Sequence, residues 1–282
     1  MTKKILITGA NGFVGKNLKK TLSDKHHIVA TGRQELDLLD RDSVFDYLGN
    51  EKFDIIIHTA TYDAAPEFSP NNPDKVLEYN LRMFDNLSQC DKQYGAMLYF
   101  GSGAEWRREK PYGLSKYAMD QITKNKNNIY NLRLYSVYGE GTDWRYRFIN
   151  NACAKVSLGM PISIPKINKC DYFHIKDLCN VVEYYINNYR VLPKSSDICS
   201  GDVLSPEEIV KIIKNLTQVQ SVKYHDSVTS TVSRSESSQE AYYGDSSFVA
   251  SLPIELTNIS DGIDNLIKFY STNLVDYREF VY

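Results

Sequence analysis

The chain has 282 residues, 42% hydrophobic and 24% charged, the balance of a folded globular protein built as one large domain or as a main domain with a smaller lobe. Its formal net charge of −2 and the absence of a strongly basic run leave no electrostatic footprint for nucleic acid. The five cysteines, Cys90, Cys153, Cys170, Cys179 and Cys199, form no CxxC pair, so neither a disulfide framework nor a bound metal is expected, and such thiols suit a reducing cytoplasm.

The first apolar run, Ile5-Leu6-Ile7, is too short for a signal peptide or a membrane span and reads as a strand. Residues 14–23 read as a helix and Ile28-Val29-Ala30 as a second strand. A short helix from Asp42 to Leu48 precedes a buried strand, Ile55-Ile56-Ile57. A long helix over 74–92 leads to the strand Met97-Leu98-Tyr99-Phe100, and a helix from Tyr112 to about Lys124 leads to a strand from Ile129 to Tyr135. Strict alternation of strand and helix predicts a doubly wound parallel α/β sheet. After Gly139 the pattern loosens into a helix at 146–158, a strand Ile162-Ser163-Ile164 and a strand-then-helix unit from Asp171 to Asn187. Ser205-Pro206-Glu207-Glu208 is a capping-box helix start. Residues 227–240 are serine-rich and irregular. The expected division is a dinucleotide-binding domain over 1–139 and 166–199, with a smaller, mainly C-terminal substrate lobe over 140–165 and 200–282.

Thr8-Gly9-Ala10-Asn11-Gly12-Phe13-Val14-Gly15 stands between the first strand and the first helix. Gly9 permits a tight turn, Gly12 lets backbone approach a pyrophosphate, and Gly15 lets helix pack on strand. The helix N-terminus offers N–H groups to the phosphates. An NAD-preferring enzyme usually carries an acid at the end of the second strand. Here that stretch is Ala30-Thr31-Gly32-Arg33, and a guanidinium suits a 2′-phosphate, which favours NADP over NAD.

The Gly-x-x-Gly-x-x-Gly spacing resembles that of the extended short-chain dehydrogenase/reductases, and further motifs carry the resemblance from residue 5 to about 185. Tyr112-Gly113-Leu114-Ser115-Lys116 is similar to the family's Tyr-x-x-x-Lys, whose members lie one turn apart on one helix face. An ammonium beside the phenol and a positive nicotinamide favour the phenolate, so Tyr112 can exchange a proton with a carbonyl or carbinol oxygen. Aligning Trp106 with the tyrosine of the family's Ser-x-x-x-Tyr-Gly puts Ser102 in the third catalytic position. The resemblance further implies a Rossmann fold, adenine contacts at Asp37 and Leu38, cofactor-lining backbone at Thr59 and Ala60 beside a packed His58, and support of the site by Asn80. Asn131-Leu132-Arg133-Leu134-Tyr135-Ser136-Val137-Tyr138-Gly139 resembles the family's Leu-Arg-x-x-x-x-Tyr-Gly strand, which implies Tyr135 and Val137 at the nicotinamide and Ser136 at the sugar. A similar arginine in nucleotide-sugar epimerases grips the substrate diphosphate, which points to Arg234, with Arg147 as a second candidate.

Dehydratases of the family follow the catalytic Ser/Thr with Asp-Glu. Gly103 and Ala104 stand there in this chain and can transfer no proton. The resemblance therefore implies an NADPH-dependent reductase of the 4-keto group of a nucleoside-diphosphate 4-keto-6-deoxysugar, similar to those that finish deoxysugars for surface polysaccharides. The alternatives are a nucleotide-sugar 4-epimerase with tightly bound NAD and a non-catalytic NADP-binding regulator. It also implies a cytoplasmic homodimer formed through the helices near 74–92 and 112–124, with no membrane partner.

Overall fold

The computed structural model describes residues 2–64, 69, 71–165, 168–217, 222–224 and 241–273. In chain order its main elements are β1 (Lys4–Thr8), α1 (Phe13–Leu22), β2 (His27–Thr31), α2 (Arg41–Asn50), β3 (Phe53–His58), α3 (Val76–Gln89), β4 (Tyr94–Ser102), α4 (Pro111–Lys124), β5 (Ile129–Leu134) and β6 (Ser136–Tyr138). These are followed by α5 (Phe148–Ser157), β7 (Ile162–Ile164), β8 (Cys170–His174), α6 (Ile175–Asn188), β9 (Ser195–Ile198), β10 (Val203–Leu204), α7 (Pro206–Thr217), β11 (Val222–Tyr224), α8 (Ser247–Ala250) and α9 (Ile259–Thr272). The chain divides into two compact units, Met1–Leu134 with Cys179–Ile198, and Tyr135–Leu178 with Cys199–Tyr282.

The first unit holds a parallel sheet in the order β2-β1-β3-β4-β5-β9. Its central strands read as unbroken apolar runs because helices cover both faces, and Ile5, Leu6, Ile7, Ile55, Ile56 and Ile57 are fully buried. On α1, Gly15, Leu18 and Leu22 form the inward stripe expected at helical spacing. Leu48, Phe84, Leu87, Tyr99 and Met119 belong to one buried cluster on a sheet face. The chain winds outward from β1 to β2 and then returns to the other side of β1 with β3. That reversal opens a crevice at the carboxyl ends of β1 and β3, where folds of this kind take their ligand.

Sequence periodicity gave no sign of β9, whose Ser195-Ser196-Asp197-Ile198 has no apolar run. It joins the sheet edge beside β5 because its polar side chains find partners there: Asp197 pairs with Arg133 Nε at 2.5 Å, and Ser195 Oγ donates to Asp120 Oδ1 at 3.1 Å. The long helix also begins later than expected. A 3-10 turn, Pro73–Lys75, precedes α3, with Asn72 capping it through Asp74 N–H.

The second unit contains a three-stranded sheet, β10-β8-β6, and a two-stranded one, β11-β7. Ile149, Cys153, Ile209, Ile213, Ile263 and Leu266 from α5, α7 and α9 share its core. The capping box before α7 forms as the sequence predicts: Glu208 N–H donates to Ser205 Oγ at 3.2 Å, and Ser205 N–H to Glu208 Oε2 at 2.7 Å. The unit boundaries differ from the expected 139, 166 and 199. Residues 131–139, read as one strand motif, are two strands in two sheets, since Ser136, Val137 and Tyr138 of β6 pair with Tyr172, Phe173 and His174 of β8. That pairing takes 135–139 and 166–178 into the second unit, and the division falls inside α6. Among the described residues no helix is long and apolar enough to cross a membrane.

Candidate active site

The glycine turn closes tightly over the end of β1. Gly9 has φ +67°, and a Cβ there would lie 2.6 Å from the Ala60 backbone, so the position admits glycine alone without strain. Gly12 N–H donates to Gly9 O at 3.0 Å, and Ala10 N–H ties the turn to Thr31 O of β2 at 3.1 Å. Gly15 lies so close beneath that a Cβ would stand 2.6 Å from Gly9 O. Phe13 and Val14 open α1, and Gly12 at its N-cap makes no side-chain cap, which leaves the first N–H groups of the helix without an N-cap side-chain acceptor, the condition under which a helix start can take an anion.

A cleft of about 280 Å³ lies beside this turn. Thr8, Gly9, Asn11, Gly12, Arg33, Asp37, Leu38, Thr59 and Ala60, all named from sequence, line it together with Tyr62, Tyr79 and Met83, which were not. Asn80 is the support the sequence suggested: its Oδ1 accepts from Tyr62 N–H at 2.8 Å, and its Nδ2 donates to Tyr62 O and Val76 O. This holds Tyr62 edge-on to Tyr79, ring centres 4.9 Å apart. The residues suit a dinucleotide: Gly9 and Gly12 bring no side chain to the turn, and Tyr62, Tyr79, Leu36 and Leu38 give the neighbouring space aromatic and aliphatic walls.

Arg33 is exposed at this cleft and makes no ion pair among the described residues. The acid two residues on, Glu35, is turned back onto the chain and accepts from Gly32 N–H at 2.8 Å. Asp37 likewise spends Oδ1 on Leu39 N–H, at 2.9 Å. Thr59 Oγ1 donates to Thr8 O at 2.7 Å, so its hydroxyl braces β1 against β3. His58 is packed, with Nδ1 2.9 Å from Thr8 Oγ1. Burial, with Lys116 nearby, depresses its pKa to about 3, so it is neutral at pH 7.

Pro111 takes the first turn of α4 and leaves Tyr112 and Lys116 on one face. Lys116 is 4% exposed, and its Nζ donates to Phe100 O of β4 at 2.8 Å and lies 5.5 Å from the centre of the Tyr112 ring. Burial lowers the Lys116 pKa to about 8, against the pull of Glu105 and Asp63. Ser102, two residues beyond Phe100, ends β4, is 7% exposed, and accepts from Ala104 N–H at 3.1 Å. Strand end and helix thus bring Ser102 and Lys116 to the same strand terminus, while Tyr112 stands half-buried above the ammonium.

Four of the residues named from sequence, Tyr135, Ser136, Val137 and Arg147, belong to the second unit. There the Tyr135 ring lies 5.2 Å from that of Tyr242, and Arg147 is exposed at the N-cap of α5. Arg234 lies outside the described residues. Among the described residues no group of three or more His, Cys, Asp or Glu could hold a metal.

A parallel sheet reversing at β1, with a glycine turn over its crevice and a Tyr–Lys pair on the flanking helix, is the arrangement of a nicotinamide-dependent short-chain dehydrogenase/reductase. The chain belongs to the NAD dependent epimerase/dehydratase family, which it matches over residues 5–199, and so to the extended branch of those enzymes. It is 26% identical over 251 residues to the GDP-L-colitose synthase of Yersinia pseudotuberculosis, covering 76% of this chain and 82% of that one. It is 24% identical over 251 residues to the GDP-6-deoxy-D-mannose reductase of Pseudomonas aeruginosa, covering 78% and 82%. Among solved structures, the GDP-mannoheptose C4 reductase of Campylobacter jejuni with NADP bound superposes with a TM-score of 0.77 over 96% of this chain and 98% of that one, at 19% identity. Each of these three relatives bears the name of an enzyme acting on GDP-linked sugars.

Proposed function

We propose that the protein reduces the 4-keto group of a nucleoside-diphosphate 4-keto-6-deoxysugar with NADPH, guanine being the base named for the relatives that match over three quarters of the chain. The observation that carries the chemistry is the buried Lys116 ammonium, anchored on Phe100 O beneath the Tyr112 ring. Bound nicotinamide supplies the hydride. Tyr112 gives its phenolic proton to the carbonyl oxygen, Ser102 holds that oxygen by a hydrogen bond, and Lys116 stabilises the phenolate left behind. Ala104 beside Ser102 offers no second acid or base, which supports plain reduction over elimination. Arg33, without an ion pair among the described residues and with Glu35 turned away onto Gly32, supports NADPH over NADH.

Ser136, Arg147 and Arg234 are the proposed substrate contacts, and Tyr135 and Val137 the proposed nicotinamide contacts. We also assign the protein to the cytoplasm, where its five buried cysteines meet no oxidant. The test is the absorbance of purified protein given NADPH and a GDP-4-keto-6-deoxysugar. Net bleaching supports the reductase. Nicotinamide retained through purification, with no net NADPH consumption, would replace it with the 4-epimerase. In Tyr112→Phe, kcat should fall by about 10²-fold or more.

A further inference from the structure

One buried carboxyl group has no part in the chemistry above. Glu105, in the turn after β4, is 4% exposed. Its Oε1 accepts from Ser102 N–H at 3.4 Å and from Asn131 Nδ2 at 3.1 Å. The backbone is shaped to admit it: at Gly101 the space a Cβ would take is filled by Glu105 Oε1 and Asn131 Oδ1. Asn131 Oδ1 is itself buried and has no hydrogen-bond partner among the described residues, so a proton on Glu105 would have an acceptor bordering the same space.

The surroundings do not suit full ionisation. On α4, Asp120 Oδ1 accepts from the same Asn131 Nδ2 at 2.8 Å. On β5, Arg133 Nη1 stands 3.9 Å from Glu105 and 3.8 Å from Asp120, but its Nε is committed to Asp197 of β9 at 2.5 Å. On β4, burial holds the Tyr99 phenol neutral. Burial, joined by the charge of Asp120, lifts Glu105 to about 7 against its hydrogen bonds and Arg133. Toward the site, burial weakens the hold of Lys116 on its proton while Glu105 and Asp63 support it, and Lys116 adds to the burial that opposes a charge on His58.

We propose that Glu105 is a positioning residue of the proton-transfer site: its ionisation sets how firmly Lys116 keeps its charge, and its bond to Ser102 N–H fixes the serine turn. This rests on reading Ser102, Tyr112 and Lys116 as the proton-transfer group. Carboxylate and ammonium then coexist mainly between the titration of the one and that of the other, and activity has its maximum there.

The test is a ¹³C NMR titration of the full-length protein without added substrate, labelled at lysine Cε and glutamate Cδ, with Lys116→Arg and Glu105→Gln used to assign the two signals. Wild-type Glu105 should titrate near neutrality, far above exposed glutamates at about 4.3. In Glu105→Gln the Lys116 midpoint should move down by about 1 pH unit. The alkaline limb of kcat/KM should move with it and the acid limb near neutrality should vanish. An unchanged Lys116 midpoint, or a fall in rate with no change in profile, overturns the proposal and leaves Glu105 a packing group. If Glu105→Gln does not fold, Glu105→Asp, which keeps a carboxyl group there, assigns the signal and the wild-type titration decides: a Glu105 signal titrating below pH 5 overturns the proposal. Because both signals are read without turnover, an inactive protein with coupled titrations would sink the reductase and leave this coupling standing.

Discussion

Arg33 lies two residues past the end of β2 and His58 ends β3, with β1 between the two strands, yet their surroundings give them opposite chemistry. Arg33 is exposed and makes no ion pair among the described residues, so no described carboxylate competes with a ligand for its guanidinium. Arg33→Ala should raise KM for NADPH roughly tenfold or more and leave KM for NADH almost unchanged, because only the phosphorylated cofactor loses a charge-assisted bond. His58 is sealed between β1 and α3 and is neutral in the fold with a pKa of about 3, whereas in the unfolded chain it titrates near 6.5. A depressed folded-state pKa means stability present above pH 6.5 and lost as pH falls toward 3. Between pH 7 and pH 5 this one residue should cost about 2 kcal/mol of unfolding free energy. Urea melts at the two pH values should show that slope in the wild type, and His58→Gln should lack it whatever its absolute stability.

The turn from β1 into α1 is the element on which the proposed cofactor binding depends. Its shape comes from a positive φ at Gly9 and from contacts with Ala60 and Gly15 that leave no room for a methyl group. Gly9→Ala should lower stability by about 1 kcal/mol or more, from the left-handed backbone alone, and should abolish NADPH-induced thermal stabilisation. Loss of melting temperature with cofactor binding intact would mean that the turn does not hold the pyrophosphate. This element was fully legible in sequence, since glycine spacing and strand–helix context are local. The Glu105 network was not legible. Its members come from the turn after β4, from α4, β5 and β9, and nothing in the neighbourhood of Glu105, Asn131 or Asp120 along the chain predicts that they share hydrogen bonds. The polar β9 went unread for the same reason: its partner Arg133 is 64 residues away.

At the scale of the whole molecule, the homodimer is a proposal with a face to test. Beside α3 and α4 of the first unit lies an open hollow of about 830 Å³, where Leu81, Leu114, Tyr117 and Ile122 are rimmed by Arg41, Arg82 and Asp85. A second copy would cover this apolar face. Sedimentation equilibrium should give a dimer for the wild type and a monomer for Leu114→Glu, with NADPH binding retained; a wild-type monomer removes the proposal. The sequence by itself determined the α/β alternation, the glycine turn, the Tyr112–Lys116 spacing and the helix cap at Ser205, because each is set by residues within a turn or two of one another. Tertiary structure alone decided that residues 131–139 are shared between two sheets, that Glu35 folds back and leaves Arg33 at the cleft, and that Glu105 is buried beside the strand end carrying Ser102. Strand pairing and the desolvation of a charge depend on which distant segments close over a residue, and short-range pattern carries no record of that.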